Sequence, residues 1–275
     1  MMMHLLKIEW LKMRSYKAFI VLTSFFVIGV FAANYIAYAV VDNVVNKAST
    51  AGLIGRFSPY DFDRTWQSTS YATGMILLLP ALLLIILVTN EFTYRTNRQN
   101  IIDGISRDEF INTKLMLALI FSVVSTLLVI ITALSFGFAT GTSFSLNGFS
   151  HVGFFFLKSL SYNLIAVFIS VLIKRTGFAI GVFFIYMGAE NIISQLLDFL
   201  SMKIKADSGT DLGTLGDYLP MNASDGLLTF PDNPGKSIIK GTMPTEYTYV
   251  ILLFAVAYVV LFFFLSRRNL LTKDL

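Results

Sequence analysis

Along the 275 residues, apolar runs alternate with shorter polar and charged interruptions. A hydrocarbon core of ~30 Å takes about 20 helical residues to cross. Six runs approach or exceed that length: 18–41, 71–89, 115–138, 152–173, 176–197 and 247–265. The first is 24 residues without a charge. Its Ala37-Tyr38-Ala39 mimics a leader-peptidase site. The run is too long for a signal h-region of ~7–15 residues, so it reads as an uncleaved anchor. Pro80 lies inside the second run. A proline there removes a backbone hydrogen bond and predicts a kink. The pattern predicts an all-α membrane protein, a single transmembrane domain over 1–275 with six spanning helices.

Three polar side chains interrupt the later runs. Lys158 sits in the fourth, and snorkelling to the nearer interface is its expected state. Glu190 and Asn191 lie in the outer half of the fifth. A carboxylate at that depth must face protein or water, with Asn191, Lys158 or another chain as candidate partners. Gly177 and Gly181 form a GxxxG pair that permits close helix contact.

The connecting segments carry the chemistry. Residues 1–17 interleave Lys7, Lys12, Arg14 and Lys17 with apolar side chains and Trp10, as in a helix lying at a membrane interface. Glu9 and Lys12 fall among the apolar positions of its wheel. A basic flank that only sets orientation is the alternative. Residues 90–114 are the longest charged interruption. Within it, residues 100–105 place Ile101, Ile102 and Ile105 on one side of a predicted short helix, with Arg98, Asp103 and Arg107 as its charged rim. Gly104 can break that helix, and Ser106 or Asp108 can cap the next. Glu91, at the end of the second run, is placed to pair with Arg95 or a neighbouring helix end. A solvated loop is the competing reading of this stretch. Residues 200–246 form a long segment between the fifth and sixth runs, and apolar residues around Tyr218, Leu219 and Pro220 fit short helices re-entering the outer leaflet.

Composition sharpens the class. Hydrophobic residues make up 55% and charged residues 14%, with a mean hydropathy of +0.70. Soluble domains usually carry ~25% charged residues. There is no cysteine, hence no disulfide or thiolate metal site. The net charge of +4 reflects placement rather than nucleic-acid binding. Thirteen Lys and Arg residues fall in the termini, residues 90–114 and the Lys174-Arg175 turn, against seven on the other side. That bias predicts both termini and residues 90–114 in the cytoplasm.

Catalytic constellations find no support in the sequence. The two histidines, His4 and His151, fall at opposite predicted faces. Asp61 and Asp63 lack the further oxygen ligands that a hard cation needs, and are expected to be solvated. Gly235-Lys236-Ser237 resembles the end of a phosphate-binding loop, but the earlier glycine it requires is Phe230. No metal, catalytic residue or cofactor is expected in this chain.

The order Glu91, Arg95-Thr96, Arg98-Gln99-Asn100, Ile102-Asp103-Gly104, Ser106-Arg107, Glu109-Phe110 and Lys114 resembles the first cytoplasmic loop of ABC-2 type transporter permeases, notably bacterial members. Together with the six-run layout, the resemblance covers nearly the whole chain. It implies a permease subunit of an exporter in the bacterial inner (plasma) membrane, with an N-terminal elbow helix and a cytoplasmic coupling helix. It implies an ABC ATPase subunit as partner, which binds and hydrolyses ATP with Mg, and a second permease, identical or homologous. The coupling residues so implied are Glu91, Arg95, Arg98, Ile101, Ile102, Asp103, Gly104, Ile105 and Arg107. Arg95-Thr96 stands where many members have Gly-Thr, so the start of the coupling helix stays open. A secondary transporter or channel using Lys158 and Glu190, or a membrane scaffold, are the alternatives.

Overall fold

The computed structural model describes residues 2–41, 43, 58–102, 104–232 and 244–272. Among them the regular elements are all helices: α1 (Met2–Arg14), α2 (Lys17–Val40), α3 (Phe62–Gly74), α4 (Leu78–Thr93), α5 (Thr96–Ile102), α6 (Arg107–Ala139), α7 (Ser150–Ile173), α8 (Thr176–Ser208), a 3-10 turn (Leu215–Tyr218), α9 (Asn222–Gly226) and α10 (Thr248–Thr272). Five of these, α2, α6, α7, α8 and α10, are long and apolar enough to cross a membrane. The chain is a multi-pass, all-helical membrane protein.

The second apolar run behaves differently from its expectation. Helix begins at Phe62, not near residue 71, and α3 and α4 are bent by 44° at the break between them. The break falls where Pro80 dictates. A proline ring clashes with the carbonyl four residues before it, here that of Ile76. Around that point the chain tightens to three-residue steps, Ile76 N–H to Thr73 O at 3.0 Å and Leu79 N–H to Ile76 O at 3.0 Å. The polar α3 is not solvated. Thr65, Ser68, Thr69, Ser70 and Thr73 are fully buried. Four of these hydroxyls are satisfied inside the bundle: Thr69 donates to Thr65 O at 2.7 Å, Thr65 to Ala133 O at 3.3 Å, Ser68 to Pro59 O, and Thr73 accepts from the buried Asn34 amide at 3.1 Å, while the Ser70 hydroxyl has no partner among the described residues. Asp61 accepts from Ser58 and precedes α3, and Asp63 accepts from Asn147.

α7 is the central helix: 67% of its apolar window is buried by its neighbours, against 17% for α2 and α8 and 11% for α10. The outward faces of those three helices are apolar, with Phe25, Ile28, Ile185, Ile192, Leu253 and Phe264 exposed. Lipid, not water, suits such a surface. α1, α5 and the last turns of α10 share one end of the bundle, here the loop end. The 3-10 turn and α9 pack on the outer parts of α7, α8 and α10 at the opposite, cap end.

Candidate functional site

Residues 90–114 fold through three local devices. α4 ends with Tyr94 N–H on Asn90 O at 2.9 Å, and Arg95 then takes a φ of 58°. Left-handed backbone favours glycine. This is the position where the resembled loop often has glycine, and α5 starts directly after it. α5 ends in a paired reversal, Ile105 N–H to Asn100 O at 3.0 Å and Gly104 N–H to Ile101 O at 3.1 Å, with Gly104 at φ 97°. That six-to-one and five-to-two pattern with a left-handed glycine terminates helices. Ser106 then caps α6 reciprocally: its hydroxyl accepts Glu109 N–H at 3.2 Å, while its own N–H reaches the Glu109 carboxylate at 3.0 Å.

The short helix therefore spans Thr96–Ile102 rather than 100–105, and the three isoleucines do not share one face. Ile105 packs on the core of this chain, Ile101 is half-buried, and Ile102 is 84% exposed. The other large apolar side chain standing free in this stretch is Tyr94, 74% exposed. Arg95 is exposed and Arg107 half-buried. The Arg98 side chain and all of Asp103 lie outside the described residues, as does Gly235-Lys236-Ser237.

Glu91 does not turn to Arg95. It joins a buried cluster drawn from three helices. Lys114 of α6 donates from Nζ to Glu9 Oε2 of α1 at 2.8 Å and to Glu91 Oε1 of α4 at 2.8 Å. Lys12 of α1 donates to Glu9 Oε1 at 3.3 Å and Glu91 Oε1 at 3.2 Å. Lys114 is only 1% exposed, and its ammonium also lies 5.1 Å from the Phe110 ring centre. Buried charge is tolerated only when paired, and here two carboxylates face two ammonium groups. Burial alone would push the Glu9 carboxyl up, but Lys114 and Lys12 hold it below the usual range. The cluster also explains the irregular wheel of α1. Leu5, Glu9 and Met13 form its buried stripe, so the carboxylate faces inward because a lysine waits there. Beside the cluster a cavity of about 450 Å³ opens between α1, the 100–105 reversal and α6.

The cap end satisfies its buried charge with different partners. Glu190 of α8 does not pair with Asn191 or Lys158. Its Oε1 accepts the backbone N–H groups of Met221 at 2.5 Å and Asn222 at 2.8 Å, at the start of α9. Asn191 is exposed, and its amide returns to Met187 O at 2.8 Å. Lys158 does not snorkel. It is 8% exposed and pairs with Asp225 of α9 at 3.1 Å, where Tyr162 donates its hydroxyl to Asp225 Oδ2 at 3.0 Å. Gly74 leaves room for that ammonium, since a Cβ there would stand 3.3 Å from Lys158 Nζ. Asp198 accepts Gly216 N–H at 2.9 Å. Nearby, burial and then the carboxylates of Asp198, Glu246 and Asp225 push the Asp217 carboxyl up to about 6.

Sequence reasoning named Glu91, Lys158 and Glu190 but not their partners. Glu9, Lys12, Lys114, Asp225 and Asp217 went unassigned. The i, i+4, i+8 stripe of Leu5, Glu9 and Met13 was the one available signal. No family model matches the chain, and no curated protein matches it either.

Proposed function

We propose that this chain is the permease subunit of an ATP-binding cassette transporter of the ABC-2 type, operating as an exporter. The observation that carries the reading is the loop end. A seven-residue helix, α5, stands between α4 and α6, with Ile102 exposed at its end and Tyr94 exposed in the turn before it, beside a charge cluster that ties α1, α4 and α6 together. A separate ATPase subunit, holding ATP and Mg, docks there. Its closure on ATP displaces α5, and the cluster passes that displacement to α4, α6 and the interfacial α1 as one unit. Counting the bent α3–α4 pair as one crossing gives six spans, with both termini and α5 on the cytoplasmic side, in keeping with the Lys and Arg bias. A two-fold pair of ATPases calls for two permeases, this chain with a copy or a homologue.

The residues that suggested an ion-driven carrier have structural employment in this fold: Glu190 holds the start of α9 and Lys158 holds Asp225. A test uses proteoliposomes holding the chain together with a candidate ABC ATPase subunit. The proposal expects ATP hydrolysis that rises when the chain is present and survives an ionophore. Transport without any ATPase, abolished by collapsing the ion gradient, would instead establish a secondary carrier.

A further inference from the structure

A groove of about 450 Å³ runs along the outside of the bundle between α6 and α10, floored by α7. Leu115, Met116 and Leu119 line one wall, Val260, Phe263 and Phe264 the other, and Leu160 and Leu164 the floor. No side chain of the described residues fills it. One polar group faces it: Asn112, whose amide has no hydrogen-bond partner among the described residues. Asn112 marks the loop end of the groove. From there to Leu119 is roughly 10 Å along the helix axis, at about 1.5 Å per residue.

The groove has a built mouth. One turn before Asn112, Asp108 meets Arg267 of α10 at 2.9 Å, an ion pair spanning the gap between the two helices. Arg268 follows Phe264 by one turn and is exposed. Among the described residues the mouth thus holds two guanidinium groups, one carboxylate and one amide, above an apolar trough as long as several methylenes. We infer that this groove is a binding site for a single anionic phospholipid, with an acyl chain in the trough and the phosphate at Asn112 and Arg268. The charge argues for that occupant over a neutral lipid or a protein helix. Arg267 is neutralised by Asp108, which leaves Arg268, among the described residues, as the cation to be matched. A basic pocket between membrane helices on the cytoplasmic side selects anionic headgroups. The inference needs only that the chain is embedded in a membrane with its loop end at a headgroup layer, and is independent of any ATPase.

The test is native mass spectrometry of the full chain in mild detergent, titrated with phosphatidylglycerol or with phosphatidylcholine of the same acyl chains. One phosphatidylglycerol should bind per chain well before phosphatidylcholine does. Arg268→Glu, at an exposed position, should weaken phosphatidylglycerol binding roughly tenfold without altering phosphatidylcholine. Leu119→Trp, which fills the trough, should weaken both lipids. Unchanged unfolding temperatures would show that both variants fold. Equal retention of the two lipids, or wild-type binding by Arg268→Glu, would reduce the groove to ordinary lipid contact and overturn the inference. A change of oligomeric mass in Leu119→Trp without a change in lipid would overturn it too, in favour of a second protein chain.

Discussion

At the loop end, two carboxylates and two ammonium groups from α1, α4 and α6 neutralise one another through side chains alone. At the cap end, Lys158 pairs with Asp225 and Lys205 with Asp211, while Glu190 and Asp198 accept backbone amides and Asp217 sits among acidic neighbours. The first arrangement is a balanced brace. Its carboxyl groups need their lysines, and Glu9 stays ionised well below neutral pH. The second is acid-rich and titratable, because Asp217 changes charge near pH 6. A brace suits the transmission of a mechanical displacement, whereas the stability of the cap follows pH.

The largest expected effect separates the two directly. Lys114→Met leaves Glu9 and Glu91 buried with only the half-exposed Lys12 for charge compensation. Breaking a buried pair costs about 3–5 kcal/mol, and this variant should lose that much stability on thermal unfolding in detergent. Lys158→Met at the cap end should cost less, about 1–2 kcal/mol, because Asp225 keeps the Tyr162 hydroxyl and some solvent. Equal losses would erase the distinction between brace and cap.

A second variant tests the amides. Glu190→Leu orphans the N–H groups of Met221 and Asn222, and should destabilise the cap by about 2–3 kcal/mol. Glu190→Gln keeps an acceptor oxygen and should lose less than half of that. Hydrogen exchange at residues 215–228 reads the difference locally. Faster exchange at α1 and α5 in either variant would mean that the two ends are not independent.

The smallest effect is the pH term. Asp217 has a folded value of about 6 against an ordinary 3.8, so the folded cap binds its proton more tightly than the unfolded chain does. Stability from this group is therefore greatest below about pH 4 and declines as pH rises through 6. Asp217→Asn should remove that slope and stabilise the cap at neutral pH by about 1–2 kcal/mol. An opening free energy of the cap, taken from exchange corrected for its intrinsic pH dependence, that stays constant between about pH 4 and 7 in the unmodified protein would contradict the assignment.

Much of this was legible in the sequence, and the reasons for the rest are physical. The long apolar helices were readable because the bilayer imposes length and composition together. Gly104 and Ser106 were readable because helix ends use local chemistry within a few residues. α3 was not, since its Thr and Ser residues look like a loop, whereas in a membrane protein polar groups turn inward to meet one another. The register of α5 was missed by a few residues because the apolar spacing of Ile101, Ile102 and Ile105 outweighed the left-handed turn at Arg95. Beyond Glu91 and the Leu5, Glu9, Met13 stripe on α1, the brace was not readable. Its members at 9, 12, 91 and 114 meet only after three helices pack, and no periodicity links them.

In the proposed complex a partner ATPase grips α5 and the turn before it, through Ile102 and Tyr94, on a base held rigid by Lys114. An apolar anchor seated in a partner's pocket can contribute ~2 kcal/mol or more to an interface. Both side chains are exposed, so replacing them should leave the fold intact. The decisive measurement is the affinity of the purified chain for its ATPase, with hydrolysis assayed in the same complex, for Tyr94→Asp with Ile102→Asp. The account predicts an unchanged unfolding temperature, a loss of ATPase binding of at least about a hundredfold, and hydrolysis that no longer responds to the permease. Wild-type affinity and wild-type coupling in that double variant would show that α5 is a solvated turn and that the ATPase, if there is one, binds elsewhere.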